Sequence, residues 1–323
     1  MGMGTTTKAI AGNEVLRQET DKSKTRGFLK RTWPLHVMLL PAVILQFIFV
    51  YVPLGGLVIA FQDYKPYDGI FHSKWVGLEH FKFMFDYPDI KQVITNTALI
   101  AGLKIICGII VPFVFALLLN EVNFNPFKRT VQTLVYLPYF ISWVFLGGIL
   151  NDMLASDGII NSVLHNWFGV KESILFLGDG NWFRFVVVLS DVWQQFGYGT
   201  IVYLAALAGV NPSLYEAAEV DGATRWKQTR HVTIPSLLPI VIVVGTLALG
   251  NILNAGFDQI FNLYNPLVYS KGDIIDTFVY RTGILNGQYS LATAVGIFKS
   301  LIGFVLIIVG YKLAQKYADY KIF

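Results

Sequence analysis

Six stretches of this 323-residue chain are each long enough and apolar enough to cross a bilayer, which limits it to a bundle of membrane-spanning helices. They cover roughly residues 35–61, 93–119, 131–153, 182–209, 236–256 and 291–313. A spanning helix needs about 20 mostly apolar residues, and each stretch passes that test with connections of sensible length. The fourth is the least apolar, since it holds Asp191, Gln194 and Gln195, yet the apolar runs 185–189 and 200–207 flank those residues. Overall the chain is 54% hydrophobic and 14% charged, where a soluble domain carries about 25% charged residues. The predicted class is an all-α integral membrane protein with six transmembrane helices.

Orientation follows from Lys and Arg, which accumulate in cytoplasmic loops and avoid short translocated ones. Placing the N-terminus inside puts 15 of the 25 basic residues on the inner side, Lys128, Arg129, Arg225, Lys227 and Arg230 among them. Both termini are then cytoplasmic: a basic tail at 1–33, a single membrane domain at 34–316 and a short tail at 317–323. The polar start lacks the early apolar core and cleavage site of a signal peptide, so the first span reads as an uncleaved anchor. The outside loops 64–88, 155–181 and 257–289 are rich in Trp, Tyr, Phe, Gly and Pro. That composition suits an interfacial aromatic belt, and equally short interfacial helices that dock an external partner.

Other chemistries find no support. The lone Cys107 lies in an apolar run, and the five histidines are scattered without ligand spacing, so neither a disulfide framework nor a metal site is expected. A net charge of +4, spread along the chain, argues against nucleic acid as a partner. No Gly-x-x-x-x-Gly-Lys-Ser/Thr loop occurs, so any ATP must be held by another polypeptide.

The inside loop at 210–235, between the fourth and fifth spans, has a clear local grammar. Asn211 can cap a helix and Pro212 suits its first position. Residues 213–220 are good helix formers, and Gly222 is the natural stop in a left-handed turn. A second helical piece can start at Ala223 and run until Pro235 breaks it, leading into the fifth span. Leu214, Ala217, Ala218 and Asp221 fall at i, i+3, i+4 and i+7, a narrow face of mostly small residues that permits close approach to another surface. Glu216 projects to the side, where it can pair with a basic group on a partner or cap the adjoining helix start.

Glu216-Ala217-Ala218, then Gly222, then Val232-Thr233-Ile234-Pro235 has the spacing of the signature of binding-protein-dependent ABC importer permeases. Val for Ile and Ile for Leu are its two departures, and both conserve apolar volume. Further stretches carry the resemblance along most of the chain, from about Lys30 to Lys316. They include Gly56-Leu-Val-Ile-Ala-Phe-Gln-Asp-Tyr-Lys-Pro66, Leu118-Leu-Asn-Glu-Val122, Tyr136-Leu-Pro-Tyr-Phe-Ile-Ser-Trp143, Asn254-Ala-Gly-Phe-Asp-Gln-Ile260 and Asp273-Ile-Ile-Asp-Thr277. The chain resembles the sugar-importer permeases, within them the lipoprotein and polysaccharide group, and overall a subunit of an alginate oligosaccharide importer. The resemblance implies the type I ABC importer transmembrane fold in a bacterial cytoplasmic (inner) membrane. It also implies a second, homologous permease subunit as heterodimer partner, two ATP-binding cassette subunits holding ATP and Mg²⁺, and an external solute-binding protein that delivers an oligosaccharide. The chain itself would then be no enzyme and bind no cofactor. Glu216, Ala217, Ala218, Asp221 and Gly222 are the implied coupling element toward the ATPase.

A sugar path calls for polar and aromatic groups at membrane depth, where buried polar residues face a cavity or a partner helix. Trp193, Gln194, Gln195 and Tyr198 on the fourth span, with Asn251, Asn254 and Asp258 around the end of the fifth, have that chemistry. Interhelical hydrogen bonding accounts for the same set equally well. Lys104 and Lys299 are lone bases inside spans, suited to structural pairing or snorkelling more than to substrate contact. An acidic cargo would ask for basic groups along the path, and the fourth and fifth spans carry none beyond Arg184 at an edge, which counts against such a cargo unless a partner permease or the binding protein supplies the charge. Two readings compete. A secondary transporter or channel without an ATPase would leave the 210–235 loop without a task, and no inverted repeat is seen. A membrane enzyme acting on polysaccharide would need a carboxylate pair, for which Asp273 and Asp276 are the candidates.

Overall fold

Proline marks one break in the long helices of this chain and is absorbed within them elsewhere. The computed structural model describes residues 32–318, and these fall into two compact units divided between Val58 and Ile59. The expected tails lie almost wholly outside the described residues.

The first unit is the bulk of helix α1, Thr32–Phe61, with a mean hydropathy of 2.3. Pro53 has no N–H to give and its ring crowds the carbonyl four residues back. The helix widens just before it into a π-turn, Phe47–Tyr51, where the Val52 N–H reaches Phe47 O, and then tightens to a 3-10 turn at Gly55–Phe61.

The second unit opens with a two-stranded antiparallel hairpin, β1 Gln62–Asp63 and β2 Lys74–Trp75. Ser290 Oγ ties it down, donating to Gln62 O at 2.6 Å and accepting from the Tyr64 N–H at 3.0 Å. Helices α2, Gly69–His72, and α3, Glu79–Asp86, belong to the same outer loop. Helix α4, Ile90–Asn120, is 31 residues and so about 46 Å long. It packs along α8, Gly180–Ala208, as the central pair of the unit.

The stretch expected as one span at 131–153 is interrupted. Helix α5, Asn125–Tyr136, gives way to a 3-10 turn at Leu137–Phe140 around Pro138, and Ser142 then caps a new helix, α6, Trp143–Leu154. Hydropathy runs unbroken across the junction, so only the proline and the serine cap mark it. Helix α7, Ile159–Phe168, follows in the outer loop and stops at Gly169 in the left-handed conformation.

Helix α9, Pro212–Val220, is the short inner-loop helix. Helix α10, Arg225–Leu249, starts before the expected fifth span and ends before it, leaving 250–256 irregular. Pro235 does not break it, contrary to expectation. A π-turn at Thr229–Thr233, closed by the Ile234 N–H on Thr229 O, absorbs the proline as in α1. The remaining elements are α11 Phe257–Leu263, α12 Tyr269–Gly272, α13 Ile275–Tyr280 and α14 Tyr289–Ala318. Among the described residues five segments are long and apolar enough to cross a membrane: Thr32–Phe61, Ile90–Asn120, Trp143–Phe168, Arg225–Leu249 and Tyr289–Lys312. Helix α8, the fourth expected span, has the length at 29 residues, but its polar side chains keep it off that set.

Three apolar clusters line up along α4. Ile90 and Val93 pack with Met84, Phe278 and Leu291; Ile100 and Ala101 with Phe183, Val187 and Ile260; Ala116 with Tyr203, Leu207 and Leu237. Toward the outer loops the unit is stitched by charge. Arg281 pairs with the buried Asp273 at 2.6 Å, which also accepts from Thr277 Oγ1 at 2.7 Å, and Lys299 pairs with Asp276 at 2.5 Å. Burial pushes the Asp273 carboxyl up, opposed by the Arg281 guanidinium and the Thr277 hydroxyl. Both carboxylates of the enzyme reading are thus engaged in ion pairs, and Lys299 has the structural role expected of it.

Candidate functional site

Two places gather the residues singled out above, a cavity in the second unit and the inner loop. The cavity, of about 400 Å³, lies among α4, α8, α10 and the irregular turn 250–256. That volume falls in the range of ligand clefts, ~300–1,000 Å³. Irregular backbone at membrane depth is tolerated where it lines such a cavity. Here the turn carries Asn251, Asn254 and Gly256, whose φ of 90° places it in the left-handed region.

Four of the seven expected path residues, Gln195, Tyr198, Asn251 and Asn254, line this cavity. The Tyr198 ring is backed by Tyr139, stacked at 4.1 Å and 5°, a partner that apolar periodicity does not mark. Gln194, about 100° around the helix from Gln195, is buried and donates to Ile141 O at 2.9 Å, satisfying a carbonyl at the break before α6. Trp193 is exposed elsewhere on α8. Asp258 is exposed in the first turn of α11, where its backbone carbonyl accepts from Asn262 Nδ2 at 2.7 Å. These three do not join the cavity.

Lys104 does join it. Its ammonium, 9% exposed, donates to Ala255 O at 2.7 Å and to Gln259 Oε1, and pairs with Asp191 Oδ1 at 3.1 Å. Asp191, 14% exposed, also accepts from Gln195 Nε2 at 3.1 Å, one turn along α8. Gln259 is locked in turn, its Nε2 donating to Val187 O and Ser190 Oγ, both at 2.8 Å. The structural pairing expected of Lys104 is present. The base in the cavity wall comes from α4, and not from the fourth or fifth span.

A larger hollow of about 580 Å³ lies in the outer loops, among the hairpin, α3 and the start of α14. None of the expected path residues lines it.

In the 210–235 loop, α9 folds as its residues direct. Asn211 Oδ1 accepts the Ser213 N–H at 3.0 Å with Pro212 at the first position. At the other end Gly222, φ 72°, turns the chain so that its N–H meets Glu219 O at 3.0 Å and the Ala223 N–H meets Ala218 O at 2.9 Å. This is the Schellman closure, which leaves few open carbonyls. Tyr215 OH and Thr233 Oγ1, 3.0 Å apart, bolt α9 to the π-turn of α10, and Thr229 Oγ1 reaches Glu121 Oε1 at 3.4 Å at the end of α4. Glu216, Ala217, Asp221 and Gly222 are exposed and Ala218 is half-buried. Around them Val220 and Trp226 stand 89% and 70% exposed.

Over residues 104–319 the sequence matches the family described as binding-protein-dependent transport system inner membrane component. It is 41% identical to protein LplB of Bacillus subtilis (strain 168), covering 91% of this chain and 92% of that one. It is also 41% identical to the polygalacturonan/rhamnogalacturonan transport system permease protein YteP of the same organism, over 90% of each. A crystal structure of a bacterial ABC transporter involved in the import of the acidic polysaccharide alginate contains a chain 37% identical to this one. It superposes with a TM-score of 0.83, covering 91% of this chain and 99% of that one.

Proposed function

The chain belongs to the binding-protein-dependent transport system inner membrane components, and on that footing we propose that it is a permease subunit of an ATP-driven importer of acidic oligosaccharides. The cargo is inferred from the relatives: one carries polygalacturonan and rhamnogalacturonan in its description, another alginate. In this reading an external solute-binding protein delivers the sugar, a second homologous permease completes the path, and two ATPase subunits dock on α9. ATP and Mg²⁺ sit on those subunits. In the same reading both termini are cytoplasmic, which the basic loops support, and the chain sits in a bacterial inner membrane, in keeping with the family description.

The observation that carries the proposal is α9 itself, capped at both ends, bolted to α10 and flanked by exposed Val220 and Trp226. Exposed Val220 and Trp226 near an acid suit a surface on which another protein docks. A short rigid helix transmits force: closing the ATPase dimer shifts α9, and α10 moves with it because only differential contacts in two states can shift an equilibrium. A channel or secondary transporter gives this arrangement nothing to do.

Glu216→Lys reverses the exposed charge, and Gly222→Trp forces a bulky residue into a left-handed conformation that costs L-residues about 1–2 kcal/mol. Each variant is expected to insert in the membrane with its partners yet lose oligosaccharide uptake and substrate-stimulated ATP hydrolysis. Normal uptake by either would sink the coupling assignment.

A further inference from the structure

The cavity holds one base and one acid among its lining residues, Lys104 and Asp191, and they pair with each other. A pair that only clamps α4 to α8 needs no open space beside it, yet here both side chains border the hollow. The same cavity is lined by the amides of Asn251 and Asn254, by the ring of Tyr198 and by Gln195, whose Nε2 donates to Asp191. At Gly108, also in the wall, an added Cβ would meet nothing within 4 Å.

The ammonium has three protons, and two are committed to neutral acceptors that stay in place without Asp191. Ala255 O is fixed by the turn, and Gln259 Oε1 is aimed by its own bonds to Val187 and Ser190. Gly256 leaves the ammonium its room, since a Cβ there would lie 2.9 Å from Nζ. The third proton faces a carboxylate. Asp191 has a second partner of its own in Gln195, which can hold it when the lysine is taken. The arrangement is a preorganised cation with one exchangeable carboxylate position.

We propose that Lys104 reads the carboxylate of an acidic sugar in transit, and that Asp191 is the internal counterion which that carboxylate displaces. Exchange of one carboxylate for another keeps the ammonium paired throughout, which avoids the several kcal/mol of leaving a buried charge bare. Tyr198, supported by Tyr139, offers its ring to the apolar face of the same sugar, and the three amides meet its hydroxyls. The inference rests on the importer reading and adds the residue that selects a uronate over its neutral counterpart.

The test uses the whole complex, with partner permease and ATPase subunits, in nanodiscs without the binding protein. Trigalacturonate and its carboxyl-reduced, neutral trisaccharide are titrated, and the ratio of their dissociation constants is read. The complex should favour the charged sugar by about tenfold or more, the discrimination of one charge-assisted contact. Lys104→Gln should collapse the ratio toward one, Lys104→Arg should restore most of it, and Asp191→Asn, which frees the ammonium, should raise it. An unchanged ratio in Lys104→Gln, a ratio near one in the unaltered complex, or no binding of either sugar overturns the proposal. Should Lys104→Gln fail to assemble, a ratio in Asp191→Asn that does not rise does the same. Sugar-stimulated ATP hydrolysis with binding protein present is measured separately. Its loss in the unaltered complex would sink the importer reading, whereas stimulation without charge discrimination sinks only the role of Lys104.

Discussion

Replacing Gly197 with alanine adds one methyl group where α8 and α5 touch backbone to side. That Cβ would lie 2.2 Å from Val135 O, 2.7 Å from Val135 C and 2.8 Å from Val135 Cγ1. A carbonyl in a helix cannot swing aside, so α8 has to retreat by about 1.2 Å to reach ordinary van der Waals distance. Overpacking of this kind costs ~3 kcal/mol, and the gain in helix propensity from Gly to Ala returns about 1 kcal/mol, leaving a net loss of ~2 kcal/mol. At about 2–4 °C per kcal/mol the thermal midpoint should fall by ~4–8 °C, read from intrinsic tryptophan fluorescence of the purified chain in detergent. Two other glycines calibrate it. At Gly199 the Cβ would meet only the Pro112 ring, 3.2 Å away, and at Gly108 it would meet nothing within 4 Å. The expected order of midpoints is Gly108→Ala highest, Gly199→Ala next and Gly197→Ala lowest. A Gly197→Ala chain as stable as the Gly108→Ala chain would refute the argument that backbone approach, and not glycine flexibility, sets this crossing.

Asn211→Ala removes the acceptor for the Ser213 N–H, which should cost about 1 kcal/mol and fray the first turn of α9; amide exchange at Ser213 and Leu214 should quicken, and unchanged exchange would contradict the cap. Asp179 accepts the N–H groups of Trp182 and Asn181 at the start of α8, and these hold its carboxyl below the usual carboxylate range. A depressed folded-state pKa contributes stability that is complete above the unfolded value, about 4, and lost as pH falls through the folded value. The midpoint of the unaltered chain should therefore drop below about pH 4 relative to Asp179→Asn, with a constant offset above pH ~5; parallel profiles down to pH 3 would show that the cap does not titrate.

What could be read in advance was local. Asn211, Pro212 and Gly222 announce α9 because each acts on its own backbone, through a side-chain oxygen, a fixed φ or a free one. The break between α5 and α6 is also local in cause, yet it sits inside a continuous apolar run where hydropathy is blind to it. Pro235 misleads for a subtler reason. The rule that proline ends a helix assumes an unaltered ladder of hydrogen bonds, and one extra residue in the preceding turn relieves the clash. The cavity is nonlocal. Lys104 and Asp191 stand on different helices 87 positions apart in the chain, and no spacing within either helix pairs them. Gln194 and Gln195 look interchangeable in sequence, and a step of about 100° sends one to Ile141 and the other to the cavity.

The continuity of α10 across Pro235 has a mechanical meaning. The helix starts three residues beyond Gly222 and ends two residues short of Asn251, so one rod of 25 residues joins the inner loop to the cavity wall. At 1.5 Å per residue it is about 38 Å long. Pivoting such a rod by ~5° about its inner end sweeps its far end through roughly 3 Å, the span of one hydrogen bond. A broken helix would lose that stroke at the joint. In the coupling proposed above, a few degrees of tilt at α9 would move the cavity wall at Asn251 by about the length of a hydrogen bond, because the π-turn lets the helix run on through Pro235.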